Sequence, residues 1–379
     1  MNIKKESTDG GLRSLVGTRA FYKKVLLVAV PIMIQNGITN FVSLLDNIMV
    51  GQVGTEQMSG VAIANQLVFI FNLCIFGAVA GAGILGAQFY GSGNSEGVRD
   101  TFRFKLLFGV ILSAIFAVIF LTVGEPLIQQ FIHQGEGIGD LEATRSYGKA
   151  YLEVIVIGIL PFALTQCYSG TLRETGETVI PMIAGIIAVL VNLVFNYILI
   201  FGKLGAPELG CVGAAIATVL SRFVELAIVA GWTHKHVARN PFIRGALRSF
   251  KIPGSLLKQI IAIGLPLFIN ELMWSFGITF MTQCYSVRGL EVVAAFNIAN
   301  TISNVFNVVF LSLGNSVGII IGQMLGAGRL EEAKREDKQL IAFSVFCCFL
   351  TGAMLILLSP FFPRMYNTEE IVKELATQL

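Results

Sequence analysis

Nine long apolar runs follow one another along the chain, at 25–49, 59–85, 106–123, 150–169, 180–201, 211–232, 260–285, 292–321 and 340–362, with short polar segments between them. A helix of roughly 20 apolar residues spans a bilayer, so each run predicts a transmembrane helix. Strands of a membrane barrel alternate apolar and polar with period two. These runs do not, which excludes that class. The expected fold is all-α and polytopic.

Composition agrees with this reading. Soluble domains carry about 25% charged residues; this chain carries 13%, beside 54% hydrophobic residues. The first run is too long for a signal peptide and is not followed by a cleavage site and a soluble chain. The net charge of +3 is slight, but its distribution is not. Lys and Arg crowd into segment 1–24, the loop with Arg99, Arg103 and Lys105, the turn with Arg173, segment 233–258 and the loop 329–338. The alternate loops and ends hold only Arg145, Lys149, Lys203, Arg288, Arg364 and Lys373. By the positive-inside rule the N-terminus is expected in the cytoplasm of a plasma-membrane protein, with the C-terminal tail outside.

An offset of 235 residues superposes the chain on itself. Pro31 falls on Pro266, Gly54 on Gly289 and Glu56 on Glu291. The triplet Ile63-Ala64-Asn65 falls on Ile298-Ala299-Asn300, the pair Phe71-Asn72 on Phe306-Asn307, and Gln88, Gly91, Gly93 and Glu96 on Gln323, Gly326, Gly328 and Glu331. Polar identities inside apolar helices point to internal duplication. Six helices separate the two starts, so the copies run in the same direction, as lobes related by an axis along the membrane normal do. The expected organisation is a cytoplasmic segment 1–24, a six-helix lobe 25–232, a basic cytoplasmic connector 233–258 and a partial lobe 259–379 with three helices and a tail. By analogy with the first lobe, the pattern ends about three helices short of a full second lobe; a genuine nine-helix protein is the alternative.

A charge at the centre of a membrane helix costs about 2.5–3.5 kcal/mol on insertion scales, so Asp46, Arg222, Glu225 and Glu271 stand out. Arg222 and Glu225, three residues apart, share a helix face and can neutralise each other. Asp46 and Glu271 have no basic residue three or four positions away. A buried carboxylate without a cation tends to hold a proton, which a cation can displace. Both are therefore candidates for exchanging H+ or Na+ against an amine-bearing substrate, with any Na+ expected near Asp46.

Amides form stripes: Gln35, Asn36 and Asn40; Asn65 and Asn72; Asn192 and Asn196; Asn300, Asn304 and Asn307. They suit polar walls around a hydrated cavity, or hydrogen bonds between helices. Pro31, Pro161 and Pro266 lie inside runs, where kinks are expected. The six cysteines have no metal or disulfide spacing, and His234 and His236 suit a solvated loop. The glycine-bearing loop 91–100 lacks the Lys-Ser/Thr of a phosphate loop. With no nucleotide-binding segment or nucleophile–base pair, an enzyme is not expected, and the energy is expected to come from an ion gradient or the substrate's own gradient, unless a partner supplies it.

The stretch from Val30 to Gln66 resembles the first two helices of multidrug and toxic compound extrusion (MATE) transporters. "GAQFYGSGNSEGVR" and its repeat "GQMLGAGRLEEAKR" resemble the loop that follows the second helix of each lobe, "GTLRETGET" a conserved-type turn of that family, and "GCVGAAIATVLSR" the start of its sixth helix. The resemblance implies two lobes and the export of organic cations against Na+ or H+. It implies that Asp46 serves the coupling ion with the Asn192-x-x-x-Asn196 pair, where some members have Asn-x-x-x-Asp. It gives Glu271 the role of the helix-seven acid of one branch and Thr218 that of a helix-six polar residue. Gln35, Asn36, Asn65, Tyr168, Asn270, Trp274 and Asn300 complete the expected substrate cavity, the aromatics by stacking on a flat cation or simply by packing. The expected partners are small organic cations and the lipid bilayer, with no nucleic acid and no ATPase, and the chain is expected to be a monomer. The rival readings are a lipid-linked oligosaccharide flippase of the same superfamily, which needs a basic cavity, and a non-transporting truncated remnant.

Overall fold

The computed structural model describes residues 15–131, 140–286, 290–359, 361 and 374–377. The expected segment before residue 15, Gly289 of the repeat and most of the tail lie outside the described residues. Nine long helices run in order: α1 (Arg19–Gly51), α2 (Thr55–Gly91), α3 (Ser95–Phe131), α4 (Leu141–Glu174), α5 (Val179–Ile200), α6 (Gly210–Lys235), α7 (Gly254–Ser286), α8 (Leu290–Gly326) and α9 (Leu330–Leu358). Among the described residues, nine helices are long and apolar enough to cross a membrane. Helices suit that medium because each satisfies its own backbone polar groups.

Several helices outrun their apolar runs. α3 begins eleven residues before the run at 106, at Ser95, and α4 begins at Leu141 rather than at 150. Polar end turns continue the helix because side chains cap them. Asp140 Oδ1 accepts from the backbone N–H groups of Glu142 (2.9 Å) and Ala143 (3.2 Å), and Asn94 Oδ1 accepts from that of Gly97 at 2.9 Å. Such caps satisfy donors that a helix start otherwise leaves open.

The duplication is visible in detail. Gly93 and Gly328, one repeat apart, both adopt left-handed backbone, φ 74° and 72°. After Gly93 the N–H of Asn94 bonds to the carbonyl of Phe89 at 2.9 Å; after Gly328 the N–H of Arg329 bonds to that of Met324 at 3.1 Å. This turn ends a helix with a residue beyond α-helical φ, for which glycine carries no steric penalty.

The chain divides into two units, Ile34–Met273 and Met1–Met33 with Trp274–Leu379. These boundaries cut α1 and α7 rather than falling between repeats. Within the second unit, Phe21 and Val25 at the start of α1 pack with Ile320, Met324, Ala333 and Leu340 of α8 and α9. Within the first, Leu256 and Ile260 at the start of α7 pack with Ala82, Leu85 and Phe104 of α2 and α3. Leu256 and Ile260 are the repeat equivalents of Phe21 and Val25. Each copy's first helix therefore begins against the second and third helices of the other copy.

Small residues let helices of the Ile34–Met273 unit approach. A methyl added to Gly60 on α2 would lie 2.6 Å from the Thr144 carbonyl and 2.7 Å from the Gly148 nitrogen on α4. One added to Gly81 would lie 2.5 Å from Cα of Gly264 on α7. Small-residue crossings of this kind are a general device of membrane bundles. α2 also carries Gly83 and Gly86 under the Glu174 carboxylate, whose oxygens a methyl at either position would strike. That carboxylate takes both its oxygens, at 2.6 and 2.5 Å, to Nζ of Lys105, which also donates to Thr171 at 3.2 Å. The Lys105 side chain is wholly enclosed.

Removing one partner of an enclosed ion pair strands the other charge. Lys105→Met is therefore expected to destabilise the protein by about 3–5 kcal/mol. Lys105→Met combined with Glu174→Leu is expected to recover most of that loss. The thermal unfolding midpoints of the two purified variants check this; equal midpoints for Lys105→Met and the parent would contradict it.

Candidate functional site

The site is built on α1, α2, α4, α5 and α6 of the Ile34–Met273 unit. Asn192 and Asn196, four residues apart, lie on one buried face of α5. Asn196 is fully enclosed, and its Nδ2 donates to Asp46 Oδ1 at 2.5 Å. One terminal atom of the Asn192 amide stands 3.0 and 3.2 Å from the two Asp46 oxygens and 3.1 Å from Asn196 Nδ2; the other stands 3.3 Å from Thr218 Oγ1 on α6. Four of the expected residues thus meet in one cluster: Asp46, Asn192, Asn196 and Thr218. Among the described residues, none is a hydrogen-bond partner of the enclosed Asn196 Oδ1.

Asp46 opens onto a cavity of about 300 Å³. Asn65 and Asn72 of α2, Tyr151 and Phe162 of α4, and Thr218 and Arg222 of α6 also line it. The Tyr151 hydroxyl donates to Asn65 Oδ1 at 3.2 Å. Gly158 sits on α4 where Cγ2 of Val219 would stand 3.0 Å from an added methyl, so α4 and α6 close in at the cavity wall.

Arg222 is the residue that sequence reasoning assigned elsewhere. Its guanidinium donates to Glu225 at 3.1 Å, the pairing their spacing anticipates, and lies 5.1 Å from the centroid of the Phe162 ring. It also lines the cavity that Asp46 lines. No local signal relates positions 46 and 222; they meet only as walls of one cavity. Among the described residues, the charges here are the Asp46 carboxylate, the Arg222 guanidinium and its own enclosed partner Glu225. With Asp46 ionised, a single negative charge remains, facing amide and hydroxyl groups. That set can hold a proton or a hard monovalent cation, since hard cations take oxygen ligands.

The other expected residues lie elsewhere. Gln35 is buried and accepts from Arg173 at 2.6 Å, beside Gly185. Asn36 is half-buried on α1. Tyr168 packs in a second core with Phe102 and Phe242, its hydroxyl 3.0 Å from Nε2 of His234. Asn270 and Glu271 are exposed on α7. Most of α7 around them is exposed as well. In the other unit, Trp274 is 63% exposed and Asn300 is half-buried. His234 lies in the last turn of α6, and His236 stacks on Trp232 at 4.6 Å, so neither sits in a free loop. Among the described residues no group of three His, Cys, Asp or Glu side chains could hold a metal ion.

Long apolar helices, with a polar, carboxylate-bearing cavity in the Ile34–Met273 unit, define a polytopic membrane protein. Residues 31–198 and 266–379 match the MatE family, and the chain belongs to that family of multidrug efflux transporters. It is 27% identical over 357 residues to a probable multidrug resistance protein NorM of Thermotoga maritima, spanning 93% of this chain and 74% of the relative. It is 28% identical over 362 residues to a probable NorM of Oceanobacillus iheyensis, spanning 94% and 78%. Among solved structures, the outward-facing form of a multidrug resistance MATE family transporter matches with a TM-score of 0.84 at 22% identity, over 98% of this chain and 80% of the other. These relatives are transporters rather than enzymes.

A hydrated wall is expected to admit water-borne reagents. In a background whose six cysteines are replaced by serine, Asn72→Cys should react with a charged, membrane-impermeant maleimide in open membranes. Ala163→Cys, fully enclosed in the neighbouring core, should not. Mass spectrometry of the labelled protein reads both; equal labelling would mean that the cavity is dry.

Proposed function

We infer that the chain works as a secondary antiporter of the plasma membrane, its N-terminus cytoplasmic, exporting organic cations or cationic drugs in exchange for H+ or Na+. The observation that supports this reading is the placement of Asp46: a carboxylate gripped by two amides and facing a cavity of about 300 Å³. A proton or ion bound there and a cationic substrate compete for the same charge. Transport follows if the two partners favour different conformations, because a ligand shifts an equilibrium only by its differential affinity.

The hydrogen bonds favour the proton. With a proton on Asp46, the carboxyl donates to the Asn192 oxygen, which also accepts from Asn196 Nδ2 at 3.1 Å, and the Asn192 nitrogen donates to Thr218. With Asp46 ionised, the Asn192 nitrogen turns to the carboxylate, and two amide donors then face each other at 3.1 Å. Sodium is the second reading, supported by the unpartnered acceptor Asn196 Oδ1, which can ligate a hard cation. The oligosaccharide-flippase reading is not favoured. Among the described residues lining the cavity Arg222 is the one cation, and it is already paired.

In cells, Asp46→Asn is expected to cut ion-driven dye efflux at least tenfold while membrane levels stay at the parent's. Everted vesicles energised by a pH gradient or by a sodium gradient separate the two ions: the proton reading expects efflux in the first without sodium. Parent-level efflux by Asp46→Asn would remove Asp46 from the mechanism. No efflux by the parent under either gradient would favour a non-transporting protein.

A further inference from the structure

The segment joining α6 to α7 has chemistry that the transport site does not use. We propose that it is a binding site for anionic phospholipid headgroups, which clamp the protein to the membrane face at the α6–α7 junction.

From Glu225 to Glu271 the sequence contains no acidic residue. Within that stretch Arg239, Arg244, Arg248 and Lys251 are all exposed, and none of them forms an ion pair among the described residues. Surface cations elsewhere are commonly matched: Lys24 with Glu336, Arg145 and Lys149 with Glu125, Arg329 with Glu332 and Lys334 with Glu331. Among the described residues, the connector's positive charge is left without a protein counterpart.

That charge is held in a fixed frame. Arg103 of α3 donates to the carbonyls of Ala246 at 3.0 Å and Gly245 at 2.8 Å, and Arg99 donates to that of Phe242 at 3.3 Å. Phe242, Ile243 and Ala246 are buried against α3 and α4. Two short 3₁₀ turns, Pro241–Ile243 and Ala246–Arg248, meet at Gly245, whose φ of 71° reverses the chain. One side of the segment is thereby bolted down and the other faces outward.

The outward side is both basic and apolar. Leu247 is 53% exposed and Phe250 46% exposed, interleaved with Arg244, Arg248 and Lys251. The flanking helices fix its depth: α6 ends at Lys235 and α7 begins at Gly254, both of them candidate membrane spans. The connector therefore lies at a membrane face, where apolar side chains enter the acyl boundary and cations meet phosphates. Basic residues beside a membrane span attract anionic lipid by this chemistry. An acidic protein or RNA would satisfy the cations but leave Leu247 and Phe250 in water, which favours lipid.

The test uses the whole chain purified in a neutral detergent. Native mass spectrometry after addition of dioleoyl-phosphatidylglycerol or dioleoyl-phosphatidylcholine counts the retained lipids. The parent is expected to hold the anionic lipid at concentrations about tenfold lower than the neutral one. Arg239→Gln/Arg244→Gln/Arg248→Gln/Lys251→Gln should abolish that preference, and Leu247→Ser/Phe250→Ser should weaken retention while keeping it. A control, Arg329→Gln/Lys334→Gln, should behave as the parent. No preference in the parent, or a preference that survives the quadruple substitution, overturns the proposal. So does complete displacement of the lipid by 10 mM inorganic phosphate, which would mean a site for free anions. Because the substituted side chains are exposed, gel filtration should show every variant to be as monodisperse as the parent.

Discussion

A carboxylate among apolar helices has to be given partners by other helices, and the Ile34–Met273 unit is arranged around that requirement. Asp46 is carried in by α1. Its partners come from α5, through Asn192 and Asn196, and through Asn192 from Thr218 on α6. None of the three helices satisfies it alone. Around the cavity that Asp46 lines, glycines thin the contacts between neighbouring helices, Gly60 against Gly148 and Gly158 against Val219.

The second organising fact is the duplication. It reproduces local detail as fine as a left-handed glycine and one backbone hydrogen bond, yet the two packed units are not the two copies. The first turns of α1 and α7 bury Phe21 and Val25, or Leu256 and Ile260, on helices of the opposite copy. An ancestral two-chain arrangement would explain such an exchange, because equivalent surfaces on identical chains can bury equivalent residues reciprocally.

How much of this the sequence disclosed depended on range. The nine membrane helices were legible because length and apolarity are properties of each segment by itself. So were the amide stripe on α5 and the Arg222–Glu225 pair, because three- and four-residue spacings report helix faces. Asp46 was recognisable as an anomaly, but its partner Asn196 lies 150 positions away, and only the resemblance to a family linked them. The proximity of Arg222 to the same cavity had no sequence signal. Lys105 was read as loop charge because it directly precedes an apolar run, whereas α3 begins ten residues earlier and carries it inside to Glu174.

The Asn192 side chain has a spectroscopic consequence. Its two ends are chemically different but nearly equal in shape, so turning over exchanges a donor for an acceptor at almost no change in volume. Its neighbours, a carboxyl group on one side and a hydroxyl on the other, respond to the exchange in opposite senses. An isotope-labelled amide at this one position would therefore act as a built-in indicator of the charge on Asp46, readable by nuclear magnetic resonance in a protein with no substrate and no dye added.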